Sequence, residues 1–204
     1  MGNHTVEDPF AIDIKKDELL KQIYVDNEKY DGYIRDRNVF GDGITIEDSM
    51  SLLVKYKTGT VLTYSLNAFL PREGFRIAFN GTKGRIEYEE NHSPNIVAGS
   101  GKNKGNSDQW QPELVVYPLF DKPYQIPIDA LSGGHGGGDI LLQRQIFGRN
   151  IGPDPFSRDA GHQQGAASVL VGAAANQSFL NGQVVKIDEI CPSLTGLNRL
   201  SDLN

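Results

Sequence analysis

The chain has 204 residues, of which 38% are hydrophobic and 23% are charged, and its formal net charge is −6. This composition is ordinary for one globular domain with a buried core. Nucleic-acid affinity depends on clustered basic residues, and the longest basic run here is Lys15-Lys16, so a nucleic-acid partner is excluded. A membrane is excluded as well, because no apolar run approaches the roughly eighteen residues of a membrane span.

The first predicted element is an N-terminal arm with a short helix, over residues 1 to 30. Apolar residues recur at helical intervals between residues 17 and 30, and Gly32 is placed to end the helix. Residues 33 to 48 follow as a polar loop. Beyond it, β-branched and aromatic runs separated by glycine-containing turns predict an antiparallel meander over residues 50 to 88.

The first strand of this meander has one apolar face and one mixed face. Alternation places Met50, Leu52 and Val54 on one side and Leu53 on the other. A half-apolar outer face of a sheet is typical of a surface that meets a partner. We therefore expect this face to meet a partner.

The second half of the chain begins with a polar, glycine-rich surface loop that contains Trp110, over residues 91 to 112. Further elements are predicted from periodicity and turn residues. They are short strands at 113 to 117 and 124 to 128, helices at 139 to 147 and 160 to 180, and a last strand at 183 to 188. The longer helix is small and apolar nearly all round, a pattern typical of a helix covered on more than one side. Its second side would need another body.

The motif "GGHGGGD", ending at Asp139, has two interpretations. In the first, Asp139 caps the following helix by accepting backbone N–H groups, and His135 is merely exposed. In the second, the glycines allow a ligand to approach closely, and His135 is a hydrogen-bonding partner or general acid/base for a hydroxyl group. Asp139 can serve in both. His162, at the start of the longer helix, is interpreted as structural or lining.

The polar loop also has two interpretations. It is either a solvated, salt-bridged loop or a site that recognises the hydroxyl groups of a polyol by bidentate hydrogen bonds. In the second case Tyr33 or Phe40 would stack on a sugar face. The candidate polar contacts are Arg35, Asp36, Arg37, Asn38 and Asp42.

Cofactor motifs are missing from this sequence. No G-x-G-x-x-G or phosphate-binding G-x-x-x-x-G-K-[ST] pattern occurs, so the chain has no nucleotide site of its own. The single Cys191 and four scattered histidines lack the spacing of a structural zinc site. We expect this chain alone to bind neither a cofactor nor a metal, and its location, cytoplasmic or periplasmic, is left open.

Three segments, in this order, resemble the C-terminal half of the glucose–fructose oxidoreductase, inositol dehydrogenase and MocA oxidoreductase family. They are the run with the "GTKG" corner over residues 48 to 90, the "GGHGGGD" motif, and the alanine-rich helix ending at Asn181-Gly182. The resemblance extends from about residue 31 to residue 190. It implies an α+β fold: an open, predominantly antiparallel mixed β-sheet with helices on one face, as in glyceraldehyde-3-phosphate dehydrogenase-like domains.

The same resemblance implies a function. Residues 1 to 204 would be a single substrate-binding and oligomerisation domain, inactive alone, of an enzyme whose separate Rossmann domain binds NAD or NADP. The half-apolar sheet face would form a homo-oligomer by meeting another subunit. The complete enzyme would transfer a hydride between the nicotinamide and a carbinol carbon of a sugar, polyol or derivative. The predicted substrate contacts are His135, Asp139, Arg35, Arg37, Asn38, Asp42 and Tyr33. The alternatives are a standalone carbohydrate-binding or dimerisation module and part of an NAD-dependent glycosidase.

Overall fold

A computed structural model describes residues 10, 13–93, 112–128, 134–148, 152–156 and 160–195. These residues belong to two compact units. Unit 1 contains the described residues of Met1–Ser49 and Asn67–Asp129, and unit 2 contains those of Met50–Leu66 and Ala130–Asn204. The predicted loop around Trp110 lies outside the described residues.

The predicted helix over residues 17 to 30 is helical but interrupted. A 3-10 turn, Ile14–Lys16, precedes α1, Glu18–Ile23, and a second 3-10 turn, Val25–Asn27, separates it from α2, Glu28–Asp31. The carboxylate of Asp17 starts α1 by accepting from the N–H groups of Leu19 and Leu20. The side-chain amide of Asn27 donates to the carbonyls of Gln22 and Ile23 at 3.0 and 3.2 Å, and this competition interrupts the helix. Gly32 ends α2 with φ 72°, as predicted.

Six strands are present among the described residues: β1 Ser49–Lys55, β2 Val61–Asn67, β3 Glu73–Gly81, β4 Gly84–Ser93, β5 Glu113–Pro118 and β6 Tyr124–Ile126. The individual strands confirm the prediction. The single meander is wrong, because β1 and β2 form one sheet while β3, β4, β5 and β6 form a separate antiparallel sheet. Between the two, Phe69 has φ 59° and Pro71 follows, so the backbone leaves the extended conformation there.

The hairpin of β1 and β2 shows the predicted alternation. Met50, Leu52 and Val54 are half-buried, whereas the residues between them are exposed, and Leu53 is 75% exposed. The turn closes where the N–H of Gly59 donates to the carbonyl of Tyr56 at 2.9 Å.

The four-stranded sheet has one apolar and one polar face, because side chains alternate along each strand. The apolar face carries Phe75, Ile77, Phe79, Ile86, Tyr88, Leu114, Val116, Tyr124 and Ile126. The polar face carries Arg76, Ala78, Asn80, Arg85, Glu87, Glu89, Glu113, Val115, Tyr117 and Gln125. The alternation of apolar and polar residues in the sequence therefore corresponds to the two faces of this sheet.

Cross-strand ion pairs organise the polar face. The guanidinium groups of Arg76 and Arg72 lie 2.7 and 2.8 Å from the carboxylate oxygens of Glu89. The hydrogen bonds from Arg76 and then from Arg72 lower the pKa of Glu89 below its ordinary value. Arg85 pairs with Glu87 at 2.6 Å on the same face. Because these groups are partly exposed, the pairs fix side-chain positions more than they stabilise the fold.

The "GTKG" corner joins β3 to β4. Gly84 has φ 150°, and a Cβ atom there would collide with the carbonyl oxygen of Tyr117, so this position requires glycine. The N–H of Leu119 donates to the carbonyl of Lys83 at 3.0 Å and holds the corner against the end of β5. A cavity of about 410 Å³ lies beside the corner, lined by residues 79 to 86 and Val116.

Unit 2 contains the remaining helices. A 3-10 turn, Gly134–Gly137, leads into α3, Gly138–Phe147, and α4 spans His162–Asn181. Both helices were predicted, as was the left-handed end of α4 at Gly182, where φ is 67°. The chain continues to α5, Ile187–Ile190, and a final 3-10 turn, Pro192–Leu194.

The last predicted strand, over residues 183 to 188, is wrong. Residues 184 to 186 have no regular structure, and α5 begins at Ile187. Within the described parts of the chain no strand pairs with this segment. Without a neighbour to satisfy its backbone groups, a β-branched run gains nothing from being extended, while Asp188 and Glu189 favour the first turn of a helix.

Hydrophobic side chains of the described residues are largely uncovered. Among them only Ile14 and Ala175 are buried. On α4, Val169 is 71% exposed and Leu180 is 89% exposed, so this apolar helix presents much of its surface to solvent. No helix in the described part of the chain is both long enough and apolar enough to cross a membrane.

Candidate functional site

The motif "GGHGGGD" brings an imidazole and a carboxylate together. His135 lies in the 3-10 turn before α3 and Asp139 in the first turn of α3. Nδ1 of His135 is 2.8 Å from Oδ1 and 3.0 Å from Oδ2 of Asp139. The spacing of four residues therefore brings the two side chains into a local hydrogen-bonded pair.

The capping interpretation of Asp139 is wrong. The residue that precedes α3 is Gly137, with φ 85°, and α3 has no side-chain cap. Asp139 lies two residues past the cap position, and its carboxylate bonds to His135 instead of capping the first N–H groups of the helix. A left-handed φ is accessible to Gly137 because it has no Cβ atom.

The pairing determines which nitrogen of His135 is available. An ionised carboxylate only accepts hydrogen bonds, so Nδ1 carries the proton and Nε2 carries a lone pair. The side chain of His135 is 86% exposed, which leaves Nε2 open to a ligand. His135 also has φ 50°, an uncommon conformation for a residue with a side chain, and such strain is frequent at functional sites.

In unit 1, Arg35 lies against two tyrosines. Its Nη1 donates to the hydroxyl of Tyr33 at 3.3 Å, and its guanidinium carbon is 5.4 Å from the ring centre of Tyr24. The hydrogen bond to Tyr33 raises the pKa of Arg35. The rings of Tyr24 and Tyr33 are 6.1 Å apart. Two predicted site residues, Tyr33 and Arg35, are thus brought together.

Asn38 shapes the loop. Its side-chain oxygen accepts from the N–H of Phe40 at 2.9 Å, and its carbonyl accepts from the N–H of Gly41 at 3.0 Å. The Asx turn leaves the Asn38 amide hydrogens for another acceptor.

Three charged residues of the loop make no internal ion pair. Within the described ranges, Asp36, Arg37 and Asp42 have no hydrogen bond or salt bridge through their side chains, and all three are exposed. The salt-bridged interpretation of the loop therefore does not account for these residues. Their donors and acceptors are available to a ligand.

Phe40 belongs to an aromatic cluster that the sequence did not predict. Its ring centre is 4.8 Å from that of Phe69 and 5.1 Å from that of Phe10. The N–H of Ala68 donates to the carbonyl of Asp48 at 2.7 Å, which ties the end of the loop to the segment before Phe69. The only sign of this cluster in the sequence is the dipeptide Phe69-Leu70 directly before Pro71. That dipeptide does not predict the left-handed φ of Phe69.

The described residues do not show the succession of elements that a dinucleotide site requires, and whether this chain alone binds a cofactor stays a prediction. Such a site needs a parallel strand, a glycine-rich turn and a helix in succession, whereas the four-stranded sheet is antiparallel and α3 follows a 3-10 turn. His162, the first residue of α4, is exposed.

Comparison with known proteins finds one informative relative. The chain is 36% identical over 164 residues, 79% of its length, to a protein of Bacillus subtilis (strain 168) named "Putative oxidoreductase YteT". The match covers 36% of that relative, so the chain spans little more than a third of its length. No protein-family model and no solved structure matches the chain. The α+β class agrees with the antiparallel sheets and helices described above, while the particular family stays a prediction.

Proposed function

We propose that this chain is the substrate-positioning and oligomerisation part of an NAD(P)-dependent oxidoreductase that acts on a sugar, a polyol or a derivative. The observation that carries the proposal is the His135–Asp139 pair, which holds an imidazole with Nε2 exposed in a glycine-rich turn. The similarity to a relative named as an oxidoreductase supports the reaction class.

The pair is suited to a hydroxyl group. Nε2 of His135 accepts a hydrogen bond from the hydroxyl, and the carboxylate of Asp139 stabilises the imidazolium if the proton moves. In the loop of unit 1, a hydroxylated ligand would meet a donor on Arg37 and an acceptor on Asp42 that no described residue engages, and Tyr33, Arg35 and Asn38 are further candidate contacts of the same loop. Phe40 and its cluster offer an apolar surface on which a sugar ring can stack.

The uncovered apolar surfaces support the oligomerisation role. Phe79 is 65% exposed beside Ile86, at the corner end of the apolar sheet face. Large exposed apolar patches mark interaction sites, and we assign this end of the sheet to a second copy of the chain. We assign the exposed side of α4 to the cofactor-bearing body, which favours an oxidoreductase part over a standalone binding module.

Isothermal titration calorimetry tests the substrate role. The 204-residue chain, His135→Ala and the control His162→Ala are titrated with myo-inositol, hexoses and sugar acids. We expect a ligand that binds the wild type and His162→Ala and binds His135→Ala at least about tenfold more weakly. Equal affinities for all three proteins would contradict the role of His135.

A further inference from the structure

A second carboxylate–imidazole pair lies on the apolar face of the four-stranded sheet, where β4 ends. Tyr88 and Glu90 alternate along β4 and share the face of Phe75. The register shifts between Glu73 and Gly74, opposite His92, and there the His92 ring comes to the same side, where it contacts Glu90 and Phe75. The hydroxyl of Tyr88 donates to Oε2 of Glu90 at 2.5 Å, and Nε2 of His92 lies 3.0 Å from Oε1. Phe75, on β3, has its ring centre 5.7 Å from each of the rings of Tyr88 and His92.

The hydrogen bonds leave one acceptor unused. The carboxylate of Glu90 accepts from both neighbours, and its hydrogen bond with Tyr88 raises the pKa of that phenol to about 12, so Tyr88 stays a donor. Because Nε2 of His92 donates to Glu90, Nδ1 carries a lone pair. No described residue bonds to Nδ1, and the His92 side chain is 45% exposed.

These groups match a hydroxylated ring better than the other common ligands. Nδ1 of His92 accepts from a hydroxyl, Glu90 keeps lone pairs for a second one, and half-exposed Phe75 offers an apolar surface. The charge of Glu90 opposes a phosphate group. A metal is disfavoured as well, because nowhere in the described ranges do three or more His, Cys, Asp or Glu side chains converge.

We propose that Phe75, Tyr88, Glu90 and His92 form a second binding site for the hydroxyl groups and apolar face of a sugar or cyclitol ring. The site stands on its own geometry and does not depend on the role of His135. The polar groups of the site that remain for a ligand, on Glu90 and His92, lie four and six residues along β4 from Ile86, about 13 and 20 Å at the rise of a strand, so the corner end of the sheet stays available to a second copy of the chain.

Nuclear magnetic resonance of the 204-residue chain tests the proposal. The imidazole and phenylalanine ring signals are followed during titration with myo-inositol, methyl α-D-glucopyranoside, glycerol and glucosamine. We expect saturable shifts at His92 and Phe75 with the first two compounds, and affinities about tenfold weaker in Glu90→Gln and His92→Gln. Glu89→Gln is the matched control, since Glu89 lies on the opposite face of the same strand, and it should bind as the wild type does.

Each remaining outcome overturns the proposal. The proposal is wrong if neither ring compound causes a saturable shift at His92. It is also wrong if Glu90→Gln and His92→Gln, shown to be folded by their amide spectra, bind with unchanged affinity. Binding of glucosamine alone would assign the carboxylate to an ammonium group instead. This test is independent of the test of the proposed function, because His135→Ala should leave the response of the His92 signals to the ligand unchanged.

Discussion

The two carboxylate–imidazole pairs expose opposite nitrogens of their histidines. In unit 2, Asp139 binds Nδ1 of His135 and leaves Nε2 open, whereas in unit 1 Glu90 binds Nε2 of His92 and leaves Nδ1 open. The first pair is built on a glycine-rich turn and spans four residues, and the second is built on a strand and spans two. The two pairs therefore differ both in the backbone that carries them and in the ring nitrogen that the carboxylate engages.

The two pairs also differ in what holds them. His135 has a left-handed φ and is 86% exposed, so its position depends on the backbone of the turn. His92 lies in an extended strand, and its partner carboxylate is fixed by the hydroxyl of Tyr88 at 2.5 Å. We therefore expect backbone changes to affect the first pair and side-chain changes to affect the second.

The largest expected effect is on ligand affinity. Because leaving a bound hydroxyl group without its hydrogen-bonding partner costs about 1–3 kcal/mol, His135→Ala should weaken polyol binding in unit 2 by roughly 10- to 100-fold. The measurement is calorimetric titration, with His92→Gln as the comparison. If His92→Gln lowered the same affinity equally, the two pairs would not be separate sites.

The next largest effect is on the stability of the glycine-rich turn that precedes α3. Gly137→Ala should lower the free energy of unfolding by about 1–2 kcal/mol, because alanine in a left-handed conformation is strained. Gly138→Ala is the control: Gly138 is the first residue of α3, and a Cβ atom there meets open space. Urea titration compares the two variants. An equal loss in both would show that the conformation of Gly137 is not what shapes the turn.

The third effect is at alkaline pH. The pKa of Tyr88 is about 12 in the folded chain against an ordinary 10.0, so its contribution to stability is complete below pH 10 and is lost as the pH rises towards 12. The difference in unfolding free energy between wild type and Tyr88→Phe should therefore shrink over this interval. A constant difference would mean that the phenol is not held by Glu90.

The smallest effect is at acid pH. The pKa of Glu89 is lowered in the folded chain by Arg76 and Arg72, so the ion pairs contribute above the ordinary value of 4.5 and are lost as the pH falls through the folded pKa. The effect is small because the pairs are partly exposed. Glu89→Gln should remove this acid-side slope in urea titrations and leave the His92 signals in place. A change at His92 would couple the two faces of β4.

Local periodicity predicted the strands and helices, because alternation and helical spacing are properties of adjacent residues. It predicted Gly32 and Gly182 as helix ends for the same reason. Two features could not be predicted: the break between the two sheets at Phe69, and the absence of a strand at 183 to 188. Both depend on which strands lie side by side in the folded chain, and a pattern of adjacent residues does not specify that. The motif "GGHGGGD" marked His135 and Asp139 as candidates, but their hydrogen bond was not predicted, because it depends on the conformation of the turn. The network of Tyr88, Glu90 and His92 likewise required the register of β4 and the position of Phe75.

If each pair presents a defined nitrogen to a hydroxylated ligand, the ¹⁵N spectrum of the histidine rings will show it. We expect a proton on Nδ1 of His135 and on Nε2 of His92, and a change in the ¹⁵N chemical shift of the opposite nitrogen of each ring when myo-inositol is added. Spectra in which both rings carry the proton on the same nitrogen, or in which the exposed nitrogens do not respond while the ligand binds elsewhere, would contradict it.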